Sequence, residues 1–142
     1  MTGKLLARLL DPARSGVYRV AAPEPLLEAA RDPRLRLARI ALSPGAGKAE
    51  MLAAIARALD FPDWFGANWD ALEDCLTDLA WSPAEAHVLL VEGAGEARAD
   101  DLRTLEDILA AAAAFWAARG RAFFAVFVDG PPHLAALYRE RR

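Results

Sequence analysis

The hydrophobic pattern is irregular at first and then becomes regular. Residues 1–35 are interrupted by prolines at 12, 23, 25 and 33. Within them Ser15 to Val20 predicts a short edge strand, and Glu24 to Arg31 a short helix. Leu5, Leu6, Leu9 and Leu10 require an apolar surface to cover them, so the segment is expected to be an N-terminal extension packed on the main fold. From Arg36 to Leu42 polar and apolar residues alternate and then run apolar, as a strand would. A Pro-Gly-Ala-Gly turn leads into Lys48–Leu59, where Met51, Leu52, Ile55 and Leu59 lie on one stripe of a helix that Pro62 closes. Asn68 is a good N-cap for a second helix running to about Leu79. His87–Val91 and Ala122–Val128 are continuous apolar runs, typical of strands covered on both faces. Between them a long helix starts at Asp100 or Asp101 and ends at Gly120. A last helix is expected from His133 to the C-terminus.

Strand, helices, strand, helix, strand is the order of a small parallel sheet with helical crossovers. The fold class is therefore α/β. The expected division is an N-terminal extension over 1–35, an α/β domain over 36–130 and a C-terminal helical tail over 131–142.

Composition changes this picture little, and charge changes it more. The 142 residues, 55% hydrophobic and 26% charged, suit one globular domain with a real core. The single cysteine, Cys75, excludes an internal disulfide and any multi-cysteine metal site, and it suits a reducing compartment. No export signal or membrane span is legible, so the expectation is a cytoplasmic protein that is monomeric when free. The net charge of −3 conceals an asymmetry: Ala58 to Ala97 holds nine acids and neither lysine nor arginine. An acidic block between neutral and basic flanks points to a cationic partner and argues against direct nucleic acid binding through that face.

The acids concentrate in FPDWFGANWDALEDCLTDLAW, residues 61–81. On a helix from Asn68, Asp70, Asp74 and Asp78 recur every four residues with Glu73 beside them, while Trp69, Leu72, Cys75, Leu76 and Leu79 take the opposite side. Like charges at this spacing cost about 0.2–0.5 kcal/mol per pair, and no basic residue within the helix relieves them. Such a face is accounted for if a cationic partner neutralises it. Ahead of the helix, Trp64, Phe65 and Gly66 form a short aromatic turn. Large aromatics beside charges are what interfaces use as anchors, with Trp64 expected exposed and Trp69 at least partly in the core.

This stretch resembles the barstar family of intracellular ribonuclease inhibitors. Leu59-Asp60-Phe61-Pro62, Trp64-Phe65-Gly66-Ala67-Asn68-Trp69-Asp70-Ala71-Leu72 and Asp74-Cys75-Leu76 carry the resemblance, which covers roughly residues 36–130. It implies a three-stranded parallel sheet packed with helices, no catalysis and no cofactor or metal. It also implies a one-to-one complex in which the acidic helix and its leading loop enter the active site of a secreted, barnase-like ribonuclease as a phosphate mimic. Asp74 aligns with the central aspartate and Asp70 with its flanking partner. Trp64 aligns with an interface aromatic, and Gly66 and Asn68 with loop residues that let the backbones approach. The expected partner-binding set is Trp64, Phe65, Gly66, Asn68, Trp69, Asp70, Glu73, Asp74, Thr77 and Asp78. Glu73, Asp78 and Phe115 depart from the family pattern, which carries a tryptophan, a glycine and a glutamate there. Cys75 matches a buried family cysteine.

Other readings exist. The Asp70/Asp74 pair could serve a metal-dependent hydrolase, but the motif contains no histidine. Ser43-Pro44-Gly45-Ala46-Gly47-Lys48-Ala49 sits between a strand and a helix like a phosphate loop. It lacks the first glycine, replaced by Leu42, and the Ser/Thr replaced by Ala49, so it reads as a turn. A module or antitoxin binding some basic protein other than a ribonuclease is the remaining alternative.

Overall fold

The computed structural model describes residues 2–61, 67–78 and 82–138. In chain order these form α1 (Thr2–Leu9), β1 (Gly16–Val20), α2 (Glu24–Ala29), β2 (Leu35–Ala41), α3 (Lys48–Leu59), α4 (Trp69–Leu76), β3 (Ala86–Glu92), α5 (Ala99–Ala117), β4 (Ala122–Val128) and β5 (Ala135–Ala136). The class is α/β, but the sheet has five parallel strands rather than three, in the order β2-β3-β4-β1-β5.

The two added strands come from outside the apolar runs. Gly16–Val20, expected at an edge, pairs with β4 from Gly16↔Phe124 to Val20↔Val128, and β5 lies on its other side. Its residues are mostly half-buried, which is why its hydrophobic signal is weak.

Alternation along β3 and β4 divides the core into two layers. Leu89, Val91, Phe123, Ala125 and Phe127 face α3, α4 and α5, whereas Val88, Leu90, Phe124 and Val126 face α1 and α2. Both faces are covered, so both strands are buried at every position but the last, and His87 is the one polar side chain among those buried positions. The α3 stripe is as expected: Met51, Leu52, Ile55 and Leu59 are all buried. The helix ends where Asp60 takes φ +56°, with Phe61 N–H donating to the Ala56 carbonyl at 3.0 Å. Pro62 lies outside the described residues.

The helix expected from His133 does not form over residues 133–138. That segment runs beside the outer edge of β1, whose backbone groups need partners. Leu137 N–H donates to the Arg19 carbonyl at 3.0 Å, and Arg19 Nε returns a bond to the Leu134 carbonyl at 2.8 Å. Arg8 donates to the Leu137 carbonyl, the Tyr138 hydroxyl donates to the Ala22 carbonyl, and Leu137 is buried.

Candidate functional site

The acidic stretch becomes α4, a short helix in the crossover between β2 and β3. Asn68 caps it in extended conformation, its Oδ1 accepting from Ala71 N–H at 2.8 Å. Leu72, Cys75 and Leu76 bury one face, and Trp69 is half-buried against the same core. The chain enters the helix under strain: Ala67, just before the cap, has φ +52°, a region that costs a residue with a Cβ.

The helix stops at Leu76, short of the Leu79 expected. The Thr77 hydroxyl donates back to the Glu73 carbonyl at 2.9 Å, and Asp78 N–H turns to the Cys75 carbonyl at 3.2 Å. The i, i+4 series is thereby cut. Asp70, Glu73 and Asp74 are on the helix, while Thr77 and Asp78 are in the turn after it. All four carboxylates are exposed, and none makes an ion pair with a basic side chain among the described residues. Asp74 also stands near the negative end of the helix dipole, where a carboxylate is unfavourable. Trp64, Phe65 and Gly66 lie outside the described residues.

A contact that the sequence does not reveal holds the C-terminal end of α4. Trp116, on α5, donates its indole N–H to the Leu76 carbonyl at 2.8 Å in a buried position. This satisfies a terminal carbonyl that the helix itself cannot. The partners are 40 residues apart, and Trp116 sits in an alanine-rich run with no local sign of the role.

Among the described residues, the other candidate groups are buried or already engaged. The Cys75 thiol is buried, and burial, then the charges of Asp74 and Asp78, push its pKa up, so it stays protonated and unreactive. His87 meets the Ser82 hydroxyl at 2.7 Å and His133 meets Glu106 at 2.7 Å. Neither forms a described contact with α4. Among the described residues no group of three or more His, Cys, Asp or Glu is placed to hold a metal ion. At the Ser43–Lys48 turn, Gly47 N–H donates to Glu50 and Lys48 N–H to Asp101, at 2.8 and 2.9 Å. The amides that would cradle a phosphate are thus already bonded to the protein's own carboxylates. No helix among the described residues is long and apolar enough to cross a membrane.

α4 is therefore a short helix anchored by its neighbours, with its carboxylates left to solvent. No curated protein matches the chain. A family model described as Barstar (barnase inhibitor) matches residues 35–128, from the start of β2 to the end of β4. The chain belongs to the Barstar family.

Proposed function

We propose that this protein is a ribonuclease inhibitor. It blocks the active site of a cationic, barnase-like ribonuclease in a one-to-one complex. The observation that carries this reading is the set of four exposed carboxylates, Asp70, Glu73, Asp74 and Asp78, without a basic partner among the described residues. It occurs in a chain of a family described as barnase inhibitor.

A ribonuclease active site holds basic side chains that neutralise RNA phosphates. Carboxylates on a short, pre-formed helix present a comparable array of negative charge without a bond that the enzyme can cleave. Asp74 takes the phosphate-binding centre and Asp70 pairs beside it. Asn68 and Trp69 fix the helix entrance, Glu73, Thr77 and Asp78 extend the face, and Trp64, Phe65 and Gly66 supply the aromatic anchor and close approach. The role needs no catalytic group, cofactor or direct nucleic acid contact, and it suits a cytoplasmic monomer.

Titration calorimetry against a small secreted ribonuclease, ideally the host's own, tests the reading with wild type and Asp74→Ala side by side. One-to-one binding is expected, weakening with salt and falling about thirtyfold or more in Asp74→Ala; this is the general scale of interface hot spots, which includes this family's own inhibitor among its examples. Equal binding by the two proteins would remove α4 as the docking face. Absence of binding to every ribonuclease tested would leave a basic protein of other activity as the partner.

A further inference from the structure

The α4 face does not end on α4. Phe115 stands on α5 next to Trp116, whose indole reaches the last residue of α4, and the two rings meet edge to face at 5.0 Å. Glu106 lies nine residues before Phe115, roughly half a revolution away around the helix, and faces the C-terminal segment through its contact with His133. Phe115 is therefore on the opposite flank, the one toward α4. Arg119, one turn further, shares that flank. Its guanidinium carbon lies 3.6 Å from the centre of the Phe115 ring, and Nη1 donates to the Phe115 carbonyl at 2.9 Å.

Arg119 is exposed and makes no ion pair with Glu73, Asp74, Asp78 or any other carboxylate among the described residues. Stacking holds it in place while its remaining N–H groups face solvent. A guanidinium held in one orientation loses less freedom on forming a bidentate bond than a free side chain would. Against a uniformly basic surface this charge would oppose binding. Against a carboxylate it would add to binding and fix the register of α4.

We infer that Arg119, stacked on Phe115, is part of the docking face, and that the partner's surface is bipolar: basic where it receives α4 and acidic where it meets Arg119. This rests on the reading of α4 as an inhibitory face, and it narrows the target to a ribonuclease with a carboxylate on the rim of its basic cleft.

The test uses a catalytically inactivated, small cationic ribonuclease, with association rates and affinities measured at low and physiological salt. The proteins compared are wild type, Arg119→Glu, Arg119→Gln and Asp74→Ala, with thermal melts to confirm folding. Arg119→Glu is expected to slow association and weaken binding about tenfold or more at low salt, and Arg119→Gln about threefold, with both effects shrinking as salt rises. Unchanged or tighter binding by Arg119→Glu would overturn the inference; should that variant fail to fold, unchanged or tighter binding by Arg119→Gln does the same. Such a result, with Asp74→Ala still weakened, leaves the α4 reading intact. Insensitivity to Asp74→Ala, or no complex at all, removes that reading and this inference with it.

Discussion

Helices α4 and α5 pack on the same side of the sheet and are built on opposite terms. α5 spans Ala99–Ala117 and buries eight side chains, with Asp100 and Asp101 at its N-terminal end, where the dipole favours them. Asp101 also accepts an N–H from the first turn of α3. The left-handed residue that follows α5 is a glycine, Gly120 at φ +75°, and Arg121 N–H closes back to the Trp116 carbonyl. α4 spans Trp69–Leu76 and buries three side chains, its carboxylates extend to its C-terminal end, and the left-handed residue before it is an alanine. α5 follows its local rules in dipole and C-cap, though its N-cap position is Arg98 with no capping side chain. α4 has its Asn68 cap but violates several others and is held by an indole from its neighbour. Departures of that kind are expected where a surface is shaped for a partner rather than for the folded chain alone.

The largest expected effect tests the frame under both helices. His87 lies on β3 on the side of α4 and α5, buried against Ser82, and its pKa is held down to about 4 by desolvation first and then by the charges of Arg121 and Arg36. The folded state then binds this proton less readily than the unfolded chain does. Stability is full above about pH 6.5 and falls as pH drops towards 4, by about 3 kcal/mol in total. Urea midpoints between pH 7.5 and 4.5 should show this slope in wild type and lose it in His87→Asn.

Trp116→Phe keeps a ring and removes the donor to the Leu76 carbonyl, at an expected cost of about 1–3 kcal/mol. Amide exchange should accelerate in α4 more than in the body of α5; equal loss in both would break the comparison. Ala67→Gly relieves the positive φ at the α4 entrance and should raise stability by about 0.5–1 kcal/mol, read from the thermal midpoint. The smallest expected effect is also the sharpest. Asp74→Asn should stabilise the free protein by about 0.3–0.5 kcal/mol through relief of like charge, while weakening the ribonuclease complex. The same change at Asp101, which holds the Lys48 N–H, should destabilise.

Much of this was legible because some segments are controlled locally. The α3 stripe and the β3 and β4 runs each bury what their pattern requires, so their residues could be assigned from the sequence. Asn68 declared the start of α4, but Thr77 did not declare its end, because the hydroxyl that turns back to Glu73 is equally at home inside a helix. Asp78 consequently left the helical series. β5 has no signal at all: two exposed alanines form a strand only because β1 needs a neighbour. The Trp116–Leu76 contact depends on how α5 lies beside α4, which no window of sequence contains.

The position of β1 has a consequence for the order in which the chain can assemble. The first strand to be synthesised has no sheet partner until the last long strand exists, because Gly16–Val20 pairs only with β4 and with Ala135–Ala136. On the ribosome, β2 and β3 can pair while the N-terminal segment waits, with Leu5, Leu9 and Val20 lacking Ala122, Phe124, Val126 and Leu137 of the core layer they later join. The contact that completes the sheet is thus among the longest in sequence separation, which slows closure and lengthens the exposure of that apolar segment. A fragment cut to residues 35–128 would keep β2, β3 and β4 but would never reach that final step, and it would leave one edge of β4 open to any other strand.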